Sequence, residues 1–389
     1  MIETDTIDTL EHKIEKAFKK EFLEEPTVLV FSPGRINIIG EHTDYNEGFV
    51  LPASINLGIV VAIKPSSQNQ CTVHAVDKNE YIYFKPEDNL KPIEKGGWKN
   101  YVLGIVIELK KRDIHLPYFD MVFGGNIPGG AGLSSSASLE NAVIFALNSL
   151  FNLKLSKQEM VLISQSAEHN SVGVQCGIMD QYASMNGREN EAIFLDCKTN
   201  IATYVEINFT DYELVLINSN VKHNLSEDSY NDRRVTCEKI IRLLGKKSLR
   251  EVNISMLDEI KDVITDEEYQ MCIYVIQENE RVLKALKTLK SNDIEQLGKL
   301  LFESHEGLKT QYQISCEELD FLVDEAKKHP YVIGSRMMGG GFGGCTINLV
   351  QSGKSACFIE TVSKEFTARF GKDCTPIEVK ISDGTRTIN

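Results

Sequence analysis

Apolar residues recur at helical spacing near the start of the chain, where Ile7, Leu10, Ile14, Ala17 and Phe18 share one face. The run Thr27 to Phe31 reads as a strand, and the β-branched stretch Leu51 to Ile63 as another. A helical stripe follows in Trp98, Tyr101, Val102, Ile105, Val106 and Leu109. Tyr118 to Phe123 predicts a strand that runs into the glycine-rich stretch 124–132, and Leu139, Val143, Ile144 and Leu147 predict a helix from about Ser135 to Leu150. Ser156 to Glu159 and Ser315 to Glu318 carry the spacing of capping boxes and predict helix starts. Glu213 precedes the strand-like LVLIN, the chain beyond about residue 226 turns mostly helical, and a second glycine run, 339–344, leads into a strand from Thr346 to Val350.

Strands and helices mix without a steady βαβ alternation. That predicts α+β layers rather than a doubly wound parallel sheet. The chain has 389 residues, and single cores stop growing near ~250–300, so two domains are expected. Their division is placed at 205/206, giving 1–205 and 206–389.

Charge narrows the partners. The formal net charge is -14, which argues against bulk binding to nucleic acid or to anionic lipid. An anionic ligand would need a local positive site such as a helix N-terminus or a metal. The 9 Cys form no CxxC pair and no zinc-ligand spacing, so free thiols in a reducing compartment are expected. The charged N-terminus has no apolar signal core and no run approaches ~18 apolar residues. A cytoplasmic monomer is the expectation.

Three segments carry candidate chemistry. In Ser32 to Asn46, the polar residues Glu41, His42, Asp44 and Asn46 cluster densely. Such convergent donors and acceptors suit a polyhydroxylated sugar; a solvated turn closing a hairpin is the alternative. In Gly125 to Ser138, glycines lead from a strand into a helix. Backbone N–H groups can then approach phosphate, while the serines supply N-cap hydroxyls and a possible Mg²⁺ ligand. A glycine-rich turn with a serine cap is the alternative. No Lys follows the glycines, so this is no Walker A loop. The third segment, Gly334 to Cys345, is a second flexible glycine loop or a tight turn before a strand. Two carboxylates join these: Glu168 reads alone as a solvated helix residue and Asp180 as a helix cap, but phosphoryl transfer needs a group of this kind near the acceptor hydroxyl.

In this order and spacing the three segments resemble the motifs of the GHMP small-molecule kinases. Gly34 to Asn46 resembles the signature of the galactokinase family within them, and the likeness continues through Trp98 to Val102, Cys176 to Gln181, Tyr230 to Arg234 and the last glycine loop. The resemblance implies an N-terminal domain like ribosomal protein S5 domain 2 and a ferredoxin-like C-terminal domain, with the site between them. It implies Mg²⁺- and ATP-dependent phosphorylation of galactose at C1, giving galactose 1-phosphate and ADP. Asp180 then faces the C1 hydroxyl with Arg35 as its partner. Glu41, His42, Thr43, Asp44, Gly177 and Tyr230 join Asp180 in binding the sugar. Gly129, Gly130, Ala131, Gly132, Leu133, Ser134, Ser135 and Ser136 form the phosphate loop, and Trp98 lies near the nucleotide. Ser136 and Glu168 hold Mg²⁺. Related kinases of N-acetylgalactosamine or arabinose, and a non-catalytic galactose sensor, are the alternatives on the same fold. The chain departs from the pattern at Ser335, where Ala is usual, and at Met338-Gly339-Gly340, where Thr-Gly-Ala is common; neither removes a catalytic group.

Overall fold

The computed structural model describes residues 6–221 and 226–388. Its strands, in chain order, are β1 Val28–Asn37, β2 Phe49–Val50, β3 Pro52–Pro65, β4 Cys71–Ala75, β5 Glu80–Phe84, β6 Phe119–Gly125, β7 Glu191–Asp196, β8 Ile201–Glu206, β9 Tyr212–Asn218, β10 Val332–Met337, β11 Cys345–Gln351, β12 Thr375–Glu378 and β13 Arg386–Ile388.

A 6-stranded sheet runs β13-β1-β3-β6-β4-β5. Its pairings are antiparallel except the parallel pair β4 with β6. Both faces are covered, which is why β3 reads as a long β-branched run rather than a clean alternation. Val60 and Ala62 point to the helix Ile7–Phe22, against Leu10, Ile14 and Phe18. Val61 and Ile63 point the other way, into a core built with the helices Trp98–Lys111, Ser135–Phe151, Lys157–Ala167 and Met179–Asn186. The predicted first strand ended at Phe31; it continues to Asn37 because the register shift between Pro33 and Arg35 absorbs the Pro-Gly pair as a bulge.

The second lobe is a 4-stranded antiparallel sheet, β10-β11-β9-β12. The helices Glu317–Lys327 and Ser355–Phe370 pack on one face through Leu322, Ala326, Phe358 and Phe366. The other face joins Leu216, Ile347 and Leu349 to Ile36, Ile38, Leu51 and Ala53 of the first lobe in one apolar cluster. A 3-stranded sheet, β2-β7-β8, lies beside them. The mixture of layers agrees with the α+β expectation.

Of the two expected capping boxes, the one at Ser156 forms in full. The other does not. Cys316 is the N-cap of its helix, and Ser315 Oγ instead donates to Asp320 Oδ1 at 2.6 Å. The long helix Asp266–Lys290 supports the segment 40–49: Glu278 Oε1 accepts from Gly40 N at 3.0 Å, Asn279 Oδ1 from Phe49 N at 2.8 Å, and Tyr274 donates to Glu41 O at 3.1 Å. No helix among the described residues is long and apolar enough to cross a membrane.

Candidate active site

The bulge in β1 delivers the first functional side chain. Gly34 lies so close to the glycine-rich loop that a Cβ there would sit 2.6 Å from Leu133 O, and Arg35 N donates to that same carbonyl at 3.1 Å. Arg35 then turns inward. Its Nε donates to Asp180 Oδ1 at 2.8 Å, Nη2 to Asp180 Oδ2 at 2.9 Å, and Nη1 to Gly132 O at 2.6 Å. Burial alone would lower the guanidinium pKa; Asp180, then Glu41 and Asp44, outweigh it and raise it. Asp180 stands in the first turn of Met179–Asn186, two residues beyond the N-cap Ile178 rather than at the cap itself. It also accepts from Ser134 Oγ at 2.5 Å.

That bond corrects one expectation. Ser134 occupies the N-cap of Ser135–Phe151 but makes no side-chain cap; its backbone is left-handed at φ 58 and its hydroxyl serves Asp180. The loop alternates buried anchors with accessible backbone: Ala131 and Leu133 are buried, while Gly129, Gly130 and Ser135 are exposed. Left-handed φ at Gly130 and Gly132 turns the chain just ahead of the helix Ser135–Phe151, whose N-terminus has no side-chain cap and so offers its first N–H groups to phosphate oxygens.

Asp180 lines a cavity of about 220 Å³. Arg35, Glu41, His42, Asp44 and Tyr230 line it together with Gly132, Ser134 and Glu168. Residues 38–43 are buried, so the solvated-turn alternative fails. His42 adopts φ 61, accepts or donates at 2.7 Å with Tyr45 and at 3.3 Å faces Gly340 O; burial pushes it down to about 3, so it is neutral. A carbonyl can only accept, which assigns the ring proton to Nε2 and leaves Nδ1 to accept from Tyr45. Asp44 is pushed up to about 7, first by burial and then by Asp180. Gly177 has no side chain because none fits: a Cβ would lie 2.1 Å from Asp44 Oδ2.

Glu168 is buried, not solvated, and opens a π-helical turn, Glu168–Val172, that ends the preceding helix. Its pKa rises to about 7 from burial and from Asp180, opposed by hydrogen bonds from Ser136, Cys176 and Gln181. Gln181 Nε2 donates to Glu168 Oε2 at 2.5 Å and to the buried Glu140 Oε2 at 3.2 Å.

Thr43, Gly177 and Trp98 lie outside the cavity lining, and of the expected phosphate loop only Gly132 and Ser134 reach it. Thr43 commits its hydroxyl to the carbonyls of Gly40 and Phe49, at 2.9 and 2.6 Å, so it shapes the loop. Trp98 donates to Glu80 Oε2 at 2.9 Å and packs its ring on Phe123. Conversely, Cys176, Met179, Gly339 and Gly340 line the cavity, and Glu140 and Gln181 stand behind it. Cys176, Met179 and Gln181 fall within the segment Cys176 to Gln181 and Gly339 and Gly340 within the last glycine loop, so the signal for them was there without a role; Glu140, two residues past the first loop segment, had none. The departures from the family pattern have partners: Ser335 Oγ donates to Asn348 Oδ1 at 2.6 Å, and Met338 Sδ accepts from Asn37 N at 3.4 Å.

A phosphate-type loop without a lysine, fed by a mostly antiparallel sheet and closed by a second α+β lobe, is the architecture of the GHMP small-molecule kinases. The GHMP kinase N-terminal domain matches residues 100–188, the GHMP kinase C-terminal domain residues 283–364, and the galactokinase galactose-binding signature residues 16–65. Relatives include the galactokinase of Thermotoga petrophila, 42% identical over 92% of this chain and 99% of its own, and that of Clostridium acetobutylicum, 38% identical over 99% and 100%. The Lactococcus lactis galactokinase, solved in complex with galactose, superposes with a TM-score of 0.91 at 32% identity, covering 97% of this chain and 99% of its own. The Methanococcus jannaschii mevalonate kinase shares the fold, with a TM-score of 0.66 at 19% identity over 91% of this chain and 98% of its own. The chain belongs to the galactokinase family, and is a sugar kinase.

Proposed function

We propose that this enzyme transfers the γ-phosphoryl group of ATP to the C1 hydroxyl of galactose. The observation that carries this reading is the paired Asp180 and Arg35 in the lining of one cavity, which they share with Glu41, His42 and Asp44 and with Gly132 and Ser134 of the glycine-rich loop. Galactose occupies the cavity against Glu41, His42, Asp44 and Tyr230. Gly177 admits Asp44 to the wall, and Thr43 holds the loop in shape. The ATP phosphates lie along residues 129–136.

Asp180 orients the acceptor hydroxyl and receives its proton as the new oxygen–phosphorus bond forms and the bond to the ADP oxygen breaks. Arg35 holds that carboxylate with two parallel N–H donors and puts positive charge beside the transferring group. Placement of the reacting groups is the main contribution in phosphoryl transfer.

Ser136 and Glu168 fit a hard divalent cation. They offer a hydroxyl and a carboxylate hydrogen-bonded to each other at the loop. Among the described residues no three His, Cys, Asp or Glu side chains converge as a metal site. Mg²⁺ commonly takes one or two carboxylates together with substrate phosphates and water. When bound, it neutralises the phosphate oxygens. A monomer is proposed. A cytoplasmic location is proposed, supported by nine cysteines that are all free. The division of the chain at 205/206 is likewise proposed.

A coupled ADP-release assay with Mg²⁺ tests the substrate, run across galactose, glucose, N-acetylgalactosamine and arabinose. Highest turnover with galactose, giving the 1-phosphate, is expected; higher turnover with another sugar moves the specificity, and binding without turnover makes the protein a sensor. Asp180→Asn is expected to lower kcat by about 1,000-fold or more while galactose binding by calorimetry survives. Near-normal turnover in that variant removes Asp180 from the mechanism.

A further inference from the structure

Glu41 faces the cavity from the first lobe, yet the side chain that fixes it comes from the second. Arg336, in β10, is among the largest fully buried side chains of the protein. Its Nε donates to Ile38 O at 2.8 Å, Nη1 to Met337 O at 2.7 Å and Nη2 to Asn37 O, and Nη2 also pairs with Glu41 Oε2 at 2.6 Å. Glu41 accepts two further hydrogen bonds, from Asn37 Nδ2 at 2.9 Å and from Gly339 N at 3.1 Å. A carboxylate has about four lone-pair sites. These donors occupy three, two of them supplied by the second lobe, and the remaining capacity belongs to whatever enters the cavity that Glu41 lines.

We propose that Arg336 is the positioning residue of the sugar site: it grips the backbone before Gly40 and the Glu41 carboxylate together, so that Glu41 meets a sugar hydroxyl in one orientation, set from the opposite lobe. The proposal rests on the reading of Glu41 as a sugar contact. A lysine cannot substitute, because three separate acceptors besides the carboxylate match the planar guanidinium fork and not a point charge. Specificity follows from the same geometry. A fixed, buried carboxylate that receives no hydroxyl from the ligand is left short of a donor, so a sugar lacking that hydroxyl is rejected. A loosely held carboxylate turns away and discriminates less.

The test measures galactose and its four monodeoxy analogues by calorimetry, and steady-state kinetics, in wild type, Arg336→Lys and Glu41→Gln. Wild type is expected to reject one deoxy analogue by about 100-fold or more. In folded Arg336→Lys, galactose affinity is expected to fall ~10–100-fold and that rejection to shrink below ~10-fold, with kcat at saturating galactose and the KM for ATP within ~3-fold. Wild-type affinity and discrimination in Arg336→Lys overturn the proposal. So does an equal loss of sugar and ATP binding, which marks a purely structural role. If Arg336→Lys does not fold, the double variant Glu41→Gln with Arg336→Met replaces both buried charges. Its galactose affinity is expected within ~3-fold of Glu41→Gln alone, since no carboxylate remains to be aimed; a further ~10-fold loss overturns the role. Unchanged affinity in Glu41→Gln removes the sugar-contact reading and the inference with it, whereas a loss there beside a normal Arg336→Lys removes the inference alone.

Discussion

Asp44 carries a charge whose cost can be read from outside the site. Burial and the neighbouring Asp180 push its pKa up to about 7, against an ordinary aspartate value near 3.8. Between these two values the folded chain holds a proton that the unfolded chain has released. Stability contributed by that proton is present below the unfolded value and is lost as pH rises through the folded one. Asp44→Asn, which removes the charge and keeps the shape, is therefore expected to stabilise the fold by roughly 2 kcal/mol more at about pH 8 than at about pH 5.5, while weakening galactose binding. Thermal melts at both pH values check it, and an equal effect at the two is the outcome against it. At this scale the sequence was informative where a residue type has few jobs. Arg35 and Asp180 pair, Glu168 and Ser136 adjoin, and Glu41, His42, Asp44 and Tyr230 line one cavity. It was silent where the job depends on a partner far along the chain. Nothing local couples Arg336 to Glu41, 295 positions apart by number, or Tyr45 to Tyr312, whose hydroxyls meet at 2.7 Å.

Elements were legible in kind and misjudged at their ends. Periodicity located the strand before the glycine-rich loop and the helix after it, though not the helix Met179–Asn186, and end chemistry depends on what else competes for a hydroxyl. Ser134 gives its hydroxyl to Asp180, and Ser315 gives its own to Asp320, so neither caps. β1 is the informative case. Its Pro33-Gly34 pair looks like a terminator in isolation, yet the strand passes through it because the helix Ser135–Phe151 and the helix Met179–Asn186 bind the bulge: Ser138 Oγ donates to Ser32 O and Ser184 Oγ to Pro33 O, both at 2.6 Å. The bulge brings the strand against the glycine-rich loop, and Gly34 is the point of contact. In Gly34→Ala the new Cβ would meet Leu133 O at 2.6 Å and Ile127 Cδ1 at 3.0 Å. The first of these is backbone and cannot swing aside, so the loop must move. The KM for ATP is expected to rise about 10-fold or more, because displacements of this order misplace reacting groups, while galactose affinity without nucleotide changes less. An unaltered KM for ATP would show that the loop does not depend on this contact.

The whole molecule is joined more tightly than a two-domain reading of the sequence suggests. A division at 205/206 separates the chain into segments, but the last strand crosses back: β13 pairs antiparallel with β1, Phe31 opposite Arg386 and Leu29 opposite Ile388. No periodicity marks so short a strand, so its destination was invisible in the sequence. Its approach matters for the site. Thr385 Oγ1 lies 2.8 Å from Ser32 Oγ and donates to Ser184 O at 3.0 Å, and Thr385 N donates to the same carbonyl at 2.9 Å. Ser184 stands one turn beyond Asp180 on the helix Met179–Asn186. The tail thus props the element that carries Asp180, while the apolar cluster shared by Ile36, Ile38 and Leu51 with Leu216, Ile347 and Leu349 ties the lobes together. Lobes fused through one core should not melt independently. Calorimetry is expected to give a single endotherm, and truncation after residue 379 to lower its midpoint by at least ~5 °C, because an edge strand and several buried hydrogen bonds are lost together. In the truncated enzyme kcat is expected to fall further than galactose affinity, since Asp180 loses its support while Glu41 and Arg336 keep theirs. Two resolved endotherms would separate the lobes energetically, and a wild-type kcat after truncation would detach the tail from the helix that carries Asp180.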